Sequence, residues 1–129
     1  MHVLLVEDER LLRESAAALL RDAGFTVTEA ASAEEALALV ANDPGRPAPA
    51  VVVTDLHLGP GMDGLTFGQH ARRHWPEVGI VYATGHPDGL DGHLLGPRER
   101  YVVKPFTHAA LLGAVRRLVP ARVLGFSLL

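Results

Sequence analysis

Three features are missing from this sequence, and each absence excludes a class of protein. There is no cysteine, which excludes a disulfide framework, a thiolate metal site and a cysteine nucleophile. The longest apolar runs, such as 36–41, are far shorter than the roughly 20 residues of a membrane-spanning helix. Basic residues are not in excess, because 12 Lys and Arg stand against 15 Asp and Glu for a formal charge of −3. Non-specific binding to nucleic acid or to an anionic membrane needs a basic surface, so we expect neither among the partners.

What is present indicates one globular domain. The chain has 129 residues, and a domain usually has about 100–200. Apolar residues make up 48% and charged residues 21%, which is typical of a folded protein and not of a disordered one. Met1 leads directly into the first predicted strand, so we expect no signal peptide and a cytoplasmic location.

Short apolar runs alternate with longer amphipathic stretches along the chain. The runs predict strands over 2–6, 25–29, 50–54, 79–83 and 101–103, and the amphipathic stretches predict helices over 9–23, 32–41, 63–75 and 107–119. A further short, weak helix is predicted over 87–97, where each interior glycine costs about 1 kcal/mol relative to alanine. Strands that alternate with helices form βαβ units, so we expect an α/β fold with a parallel sheet and right-handed crossovers.

The polar residues that carry chemistry stand at the ends of these strands. They are Glu7 and Asp8 after the first strand, Asp55 after the third, Thr84 after the fourth and Lys104 after the fifth. Ligands of open parallel sheets bind beyond the carboxyl ends of the strands. Two carboxylates about 4 Å apart repel by about 4 kcal/mol at an effective dielectric near 20, so the three acids need a cation. Carboxylate ligands and the absence of cysteine favour Mg²⁺, and a lysine ammonium suits a phosphoryl oxygen.

Five short motifs, taken together and in this order, carry a resemblance to a known family. They are Glu7-Asp8, Asp55 within Val-Val-Thr-Asp-Leu, Met62-Asp63-Gly64, Ala83-Thr84-Gly85 and Lys104-Pro105-Phe106. The sequence from Met1 to about Val119 resembles the CheY-like receiver domain of two-component response regulators. This resemblance implies a flavodoxin-like, doubly wound sheet of five parallel strands in the order 2-1-3-4-5, with helices on both faces.

The resemblance also implies a role for each matching residue. Asp55 resembles the phosphoacceptor, which receives a phosphoryl group from a histidine kinase or a histidine phosphotransfer protein. The implied Mg²⁺ ligands are Glu7, Asp8, Asp55 and the backbone carbonyl of His57. Lys104 would pair with the phosphoryl group, Thr84 would be the switch hydroxyl, Tyr101 would be the switch aromatic, and a cis peptide would precede Pro105. Tyr101 reads equally well as an ordinary aromatic residue of an edge strand.

Three features depart from the common family pattern. Glu7 replaces a more frequent aspartate, and the loop over 58–64 is unusually rich in glycine. His57 and His86 each lie two residues beyond a site residue, at positions that flank the phosphoryl group. We expect this pair to shield or to assist the water that removes the phosphoryl group.

The expected domain organisation is a receiver over 1–120 and a short apolar tail over 121–129. Such a stand-alone receiver would be a phosphorylation-driven switch and not an enzyme with a separate substrate, although it would catalyse its own phosphotransfer and dephosphorylation. Its output would be contact with a downstream protein, or a homodimer, through the face made by the weak helix over 87–97, the fifth strand and the last helix.

Two other functions are open to the sequence. A metal-dependent aspartyl phosphohydrolase would carry a second aspartate two residues after the nucleophile, where this chain has His57. A receiver-like binding module without phosphorylation would lack Asp55, Lys104 or the acidic pair. A zinc site at His70 and His74 is disfavoured, because no glutamate completes the required pattern.

Overall fold

The chain forms a five-stranded parallel sheet in a computed structural model that describes residues 1–90, 93 and 95–119. The strand order is β2-β1-β3-β4-β5, and every neighbouring pair is parallel. The strands are β1 (His2–Val6), β2 (Thr26–Ala30), β3 (Val51–Asp55), β4 (Gly79–Thr84) and β5 (Glu99–Val103). The helices are α1 (Arg10–Asp22), α2 (Ala33–Asn42), α3 (Gly64–His74) and α4 (His108–Leu118). The expected flavodoxin-like fold and strand order are confirmed.

The sheet is covered on both faces, which explains why its central strands read as unbroken apolar runs. Side chains alternate between the faces of a strand. Accordingly, Val3 and Leu5 belong to the core cluster beneath α1 and α4, and Leu4 and Val6 belong to the cluster beneath α2 and α3. Because both faces are filled by apolar side chains, the strand ends remain as the place for charged groups.

Side-chain caps fix where three of the helices, α2, α3 and α4, begin. The hydroxyl of Ser32 accepts a hydrogen bond from the N–H of Glu35 at 3.0 Å, and the Glu35 carboxylate accepts one from the N–H of Ala31 at 3.3 Å. Together they form the reciprocal arrangement of a capping box. At α4 only the forward bond is present, because the Thr107 hydroxyl accepts the N–H of Ala110 at 3.0 Å and no acid stands at the third position of the helix. Ser32 and Thr107 are the first residues of the helices predicted over 32–41 and 107–119, so these predicted helices begin at their caps.

The segment between β4 and β5 differs from the prediction. A weak helix is expected over 87–97, but the structure has a single 3₁₀ turn at Pro87–Leu90, and 95–98 are not helical. Proline lacks the N–H of a helix interior and glycine disfavours helix, which accounts for the short turn. Residues 91, 92 and 94 of this predicted helix lie outside the described residues. β5 begins at Glu99, two residues before the predicted start, because Glu99 and Arg100 pair with Ile80 and Val81.

The apolar tail predicted over 121–129 also lies outside the described residues. The domain boundary expected at 120 therefore stays a prediction. The longest α-helix described is α1 with 13 residues, whereas a bilayer span needs about 20. Across residues 1–90, 93 and 95–119, none of the helices has both the length and the apolar character to cross a bilayer.

Candidate functional site

The carboxyl ends of β1, β3 and β5 bring one ammonium and two carboxylates together. The Lys104 ammonium donates to the Asp55 carboxylate at 2.8 Å and to the Glu7 carboxylate at 2.5 Å. These residues are 49 and 97 positions from the lysine in sequence, so only the parallel topology makes them neighbours. Lys104 is the single lysine of the chain, which has 11 arginines.

A third carboxylate, that of Asp8, completes an acidic cluster. One oxygen each of Glu7, Asp8 and Asp55 lies within 4.8 Å of the others. With all groups ionised, three negative charges face one positive charge. Hard oxygen donors in this number suit Mg²⁺, which binds a few carboxylates and keeps waters or phosphate oxygens as further ligands. The donor set therefore fits the cation that the sequence predicts.

Glu7 is the most deeply placed of the three acids, with 5% of its surface exposed. Burial raises its pKa to about 7, and the hydrogen bond from Lys104 acts against this rise. Its second oxygen accepts from the N–H of Glu9 at 3.3 Å. Burial alone would lower the pKa of Lys104, but its hydrogen bonds to Asp55 and Glu7 outweigh burial and raise it. The lysine is therefore a permanent positive charge in this site.

Asp55 is held at both of its carboxylate oxygens. One accepts from Lys104 and the other from the backbone N–H of His57 at 3.0 Å. The side chain is 12% exposed, so a reactant can reach it from one side. Gly64 of the Met-Asp-Gly motif packs directly on this strand end, since a Cβ there would lie 1.7 Å from the Asp55 carbonyl. The motif thus permits α3 to start against the carboxyl end of β3.

Thr84 ends β4 and is fully buried. Its hydroxyl accepts the N–H of His86 at 2.9 Å, which leaves the hydroxyl hydrogen free to be donated. Its carbonyl accepts the N–H of Lys104 at 2.8 Å, and the preceding residue, Ala83, pairs with Asp55. The hydroxyl therefore stands on the strand between Asp55 and Lys104.

The remaining predicted residues lie around this centre. The rings of His57 and His86 are exposed, with centroids 6.0 Å apart at 68°. Tyr101 is 50% exposed and Val103 46% exposed, so the predicted switch aromatic faces outward. The Lys104–Pro105 peptide is cis.

One residue near the site has no counterpart in the sequence-based prediction. Glu34, at the start of α2, accepts a hydrogen bond from the N–H of Met62 in the β3–α3 loop at 2.8 Å. The sequence does hold a signal, because two acids begin α2 and the capping box uses only Glu35. What the second acid contacts, however, depends on a loop 28 positions away.

Comparison with known proteins agrees with this geometry. A family model described as the response regulator receiver domain matches residues 3–116. The transcriptional regulatory protein AruR of Pseudomonas aeruginosa is 35% identical over 122 residues, covering 91% of this chain and 48% of AruR. The response regulator protein FleR of the same organism is 36% identical over 118 residues, covering 89% of this chain and 24% of FleR. The chain thus spans half or less of the length of these relatives.

Solved structures of response regulator receivers have the same fold as this chain. A response regulator receiver protein from Sinorhizobium medicae superimposes with a TM-score of 0.82 at 32% identity, covering 95% of this chain and 96% of that one. The chemotaxis response regulator CheY4 of Vibrio cholerae does so with a TM-score of 0.75 at 28% identity, covering 92% and 98%. Phosphorylation-activated switching is the function of this type of domain. From its fold, its acidic cluster with the lysine, and these matches, we conclude that the chain belongs to the response regulator receiver domain family.

Proposed function

We propose that Asp55 is the phosphoacceptor of this receiver and that Glu7, Asp8, Thr84 and Lys104 serve the phosphoryl transfer. The observation that carries the proposal is the Lys104 ammonium, which bonds the Asp55 carboxylate at 2.8 Å inside a cluster of three acids. Receiver domains act with histidine kinases or phosphotransfer proteins and generally bind Mg²⁺. We extend both properties to these residues.

The transfer needs a carboxylate that is positioned and relieved of repulsion. An oxygen of Asp55 attacks the phosphorus of a phosphohistidine on the donor protein. A phosphorus–oxygen bond forms while the phosphorus–nitrogen bond breaks, and its electron pair returns to the imidazole, which takes up a proton. Glu7, Asp8, Asp55 and the His57 carbonyl would hold Mg²⁺, which when bound offsets the negative charge of the carboxylates and of the phosphoryl oxygens.

The side chains of the chain then hold the new phosphoryl group. Phosphorylation gives the Lys104 ammonium an anion to pair with in place of the free carboxylate, and the Thr84 hydroxyl donates its hydrogen to the same group. Both contacts exist only in the phosphorylated state, so they bias a two-state equilibrium. Movement of Tyr101 inward from its exposed position would report this shift.

We assign the stability of the aspartyl phosphate to His57 and His86. Their ring centroids lie 6.0 Å apart, on residues that each lie two positions after a site residue. The domain catalyses its own phosphorylation and dephosphorylation, and the rings shield or assist the attacking water. The double variant His57→Gln, His86→Gln should lose its phosphoryl group at a rate several-fold different from the wild type, as followed by intact mass after the donor is removed; an unchanged rate would contradict this role.

The output of the switch is contact with a downstream protein, or a homodimer, through the outer face of β5 and α4. Tyr101 and Val103 expose apolar surface there, next to the strand end that carries Lys104. Sedimentation of the protein with and without a phosphoryl donor tests the homodimer. A Tyr101→Ser, Val103→Ser variant that remains able to dimerise would locate the dimer elsewhere.

The central experiment treats the protein with Mg²⁺ and a small phosphoryl donor and follows it by intact mass spectrometry. We expect one phosphoryl group per chain that decays slowly and is absent from Asp55→Asn. An aspartyl phosphohydrolase would instead turn over many equivalents of donor, and a binding module would remain unmodified. Either of those results would overturn the proposal.

A further inference from the structure

A hydrogen bond to one carboxylate joins the glycine-rich loop between β3 and α3 to the neighbouring helix α2. Glu34 reaches the loop from the first turn of α2 and accepts the N–H of Met62 at 2.8 Å. This bond lowers the pKa of Glu34 below its usual range, as expected for a carboxylate that accepts a backbone N–H. The contact joins two segments 28 residues apart.

The backbone conformation of the loop at Gly61 leaves space for the hydrogen bond between Glu34 and Met62. Gly61 has a φ of +102°, which L side chains rarely adopt. A Cβ at Gly61 would also lie 2.9 Å from the Glu34 carboxylate oxygen, so the flexible Glu34 side chain would have to shift. Glycine at this position therefore permits the turn and leaves the Glu34 carboxylate where it bonds Met62.

The same loop forms one wall of the acidic cluster. It leaves β3 at Asp55 and passes His57, whose carbonyl is an expected Mg²⁺ ligand. At Gly59 it lies against Asp8, because a Cβ placed on Gly59 would be 3.5 Å from an Asp8 carboxylate oxygen. The loop thus carries one expected backbone ligand and borders one acidic side chain of the cluster.

A simpler role for Glu34 would be to favour the N-terminus of α2 by its negative charge, as acids in the first turn of a helix do. Glu35 stands beside it and already takes the capping role, through its bond to the N–H of Ala31. Glu35 therefore bonds the backbone at the helix start, and of the two acids it is Glu34 that also bonds the loop.

We propose that Glu34 is a positioning residue for the cation site, because it fixes the loop over 59–62 beside Asp8 and His57. This inference rests on the proposed function. It makes α2, a helix that contributes no side chain to the acidic cluster, part of the support of that cluster. Groups that hydrogen-bond directly to metal ligands typically contribute about 10–100-fold to metal affinity. Glu34 acts on the ligands only through the loop, so we expect a smaller, several-fold effect.

The test compares Glu34→Ala with Glu35→Ala, a matched control that removes the same charge and one hydrogen bond from the same turn. Two readouts are measured by NMR, namely the dissociation constant of Mg²⁺ from a titration and the exchange rate of the Met62 amide. We expect Glu34→Ala to weaken Mg²⁺ binding several-fold and to speed Met62 exchange, while Glu35→Ala does neither. Glu34→Gln keeps an oxygen that can accept the N–H, so it should restore most of both properties.

The outcomes separate this inference from the proposed function. If the wild type binds Mg²⁺ and the two alanine variants bind it equally, the inference fails and the proposed function stands. If the wild type binds no Mg²⁺, the proposed function fails and takes the inference with it, even where Met62 exchange shows the contact. If Glu34→Gln is as weak as Glu34→Ala, charge and not the hydrogen bond is responsible, which also overturns the inference.

Discussion

Among single residues, Lys104 has the largest effect on the charge balance of the site. It bonds two carboxylates that would otherwise repel each other inside a mostly buried pocket. The chain uses arginine at its 11 other basic positions, which indicates that this one place needs a compact ammonium. A guanidinium is larger and planar, with its donors in a fixed fork, so it is not an equivalent group here.

The first prediction concerns replacement of this lysine. Lys104→Met should lower the free energy of unfolding by roughly 2 kcal/mol without Mg²⁺, because Glu7 and Asp55 lose a shared partner. Saturating Mg²⁺ should reduce that loss, since the cation supplies the missing positive charge. Lys104→Arg should recover only part of the loss. Urea unfolding with and without Mg²⁺ measures these effects, with the exposed Arg117→Met as the control. Equal stability of the wild type, Lys104→Met and Lys104→Arg would contradict this account.

At the scale of secondary-structure elements, hydrogen bonds to the buried carboxylate of Glu99 stabilise the start of β5. Glu99 is 1% exposed and lies close to donors on three other elements or loops. Its oxygens accept from Gly96 at 2.9 Å, Arg72 at 3.1 Å and Tyr82 at 3.2 Å, and lie 3.3 Å from the ring of His93. Burial acts to raise the pKa of Glu99, but the bonds from Gly96, His93 and Arg72 outweigh burial and lower it.

The second prediction follows from that lowered pKa. The unfolded chain holds a proton on Glu99 near and below its ordinary pKa of 4.5, whereas the folded protein does not until a lower pH. The stability contributed by Glu99 is therefore complete above pH 4.5 and is lost as pH falls through the folded value. Glu99→Gln should reduce stability by roughly 2 kcal/mol at pH 7 and should flatten the acid limb of the stability profile. Urea unfolding from pH 7 downward tests this, and an acid limb as steep as that of the wild type would argue against it.

The third prediction compares two glycines in helix interiors. A Cβ on Gly68 of α3 would lie 2.2 Å from the Tyr82 hydroxyl, whereas a Cβ on Gly113 of α4 would meet nothing within 4 Å. Gly113→Ala should therefore stabilise the protein by about 0.5–1 kcal/mol through helix propensity. Gly68→Ala should destabilise it by roughly 1–3 kcal/mol through overpacking. Thermal unfolding measures both, and the cost of Gly68→Ala should shrink in a Tyr82→Phe background if the clash is its cause.

At the scale of the whole molecule, any ligand that binds only the folded state stabilises all of it. Asp8, Glu7 and Asp55 come together only when β1 and β3 pair. The unfolded chain therefore lacks the proposed cation site. Binding and folding are coupled for this reason.

The fourth prediction uses that coupling. Mg²⁺ at about 100 times its dissociation constant should raise the free energy of unfolding by roughly 2.7 kcal/mol. Asp8 is exposed, so Asp8→Asn should leave the metal-free stability nearly unchanged and should abolish most of the gain. Denaturant unfolding at matched ionic strength with a sodium salt provides the control. A gain of the same size with sodium, or in the variant, would mean that the cation acts elsewhere.

The sequence by itself determined the order of elements and the strand ends at which chemistry is possible. The apolar run from Val51 to Val53 predicts a buried strand, because a strand that is covered on both faces is apolar throughout. The strand prediction is enough to place Asp55 at the strand end. Ser32 and Thr107 are recognisable as caps for a similar reason, since a capping hydrogen bond spans only three residues. Periodicity and capping are local, so they are visible in a linear chain.

Only the tertiary structure decided which distant groups meet. Strand register and the rotation of helices against the sheet decide three such contacts. These are the hydrogen bonds of Glu7 with Lys104, of Glu34 with Met62 and of Glu99 with Tyr82. The start of β5 at Glu99, two residues before its predicted start, is a further case, because it depends on pairing with Ile80 and Val81 of β4. The weak helix predicted over 87–97 is wrong in its described part for a local reason instead, since proline and glycine disfavour a helix there. Local preferences act over a few residues, whereas hydrogen bonds to buried carboxylates form only after long segments have been brought together.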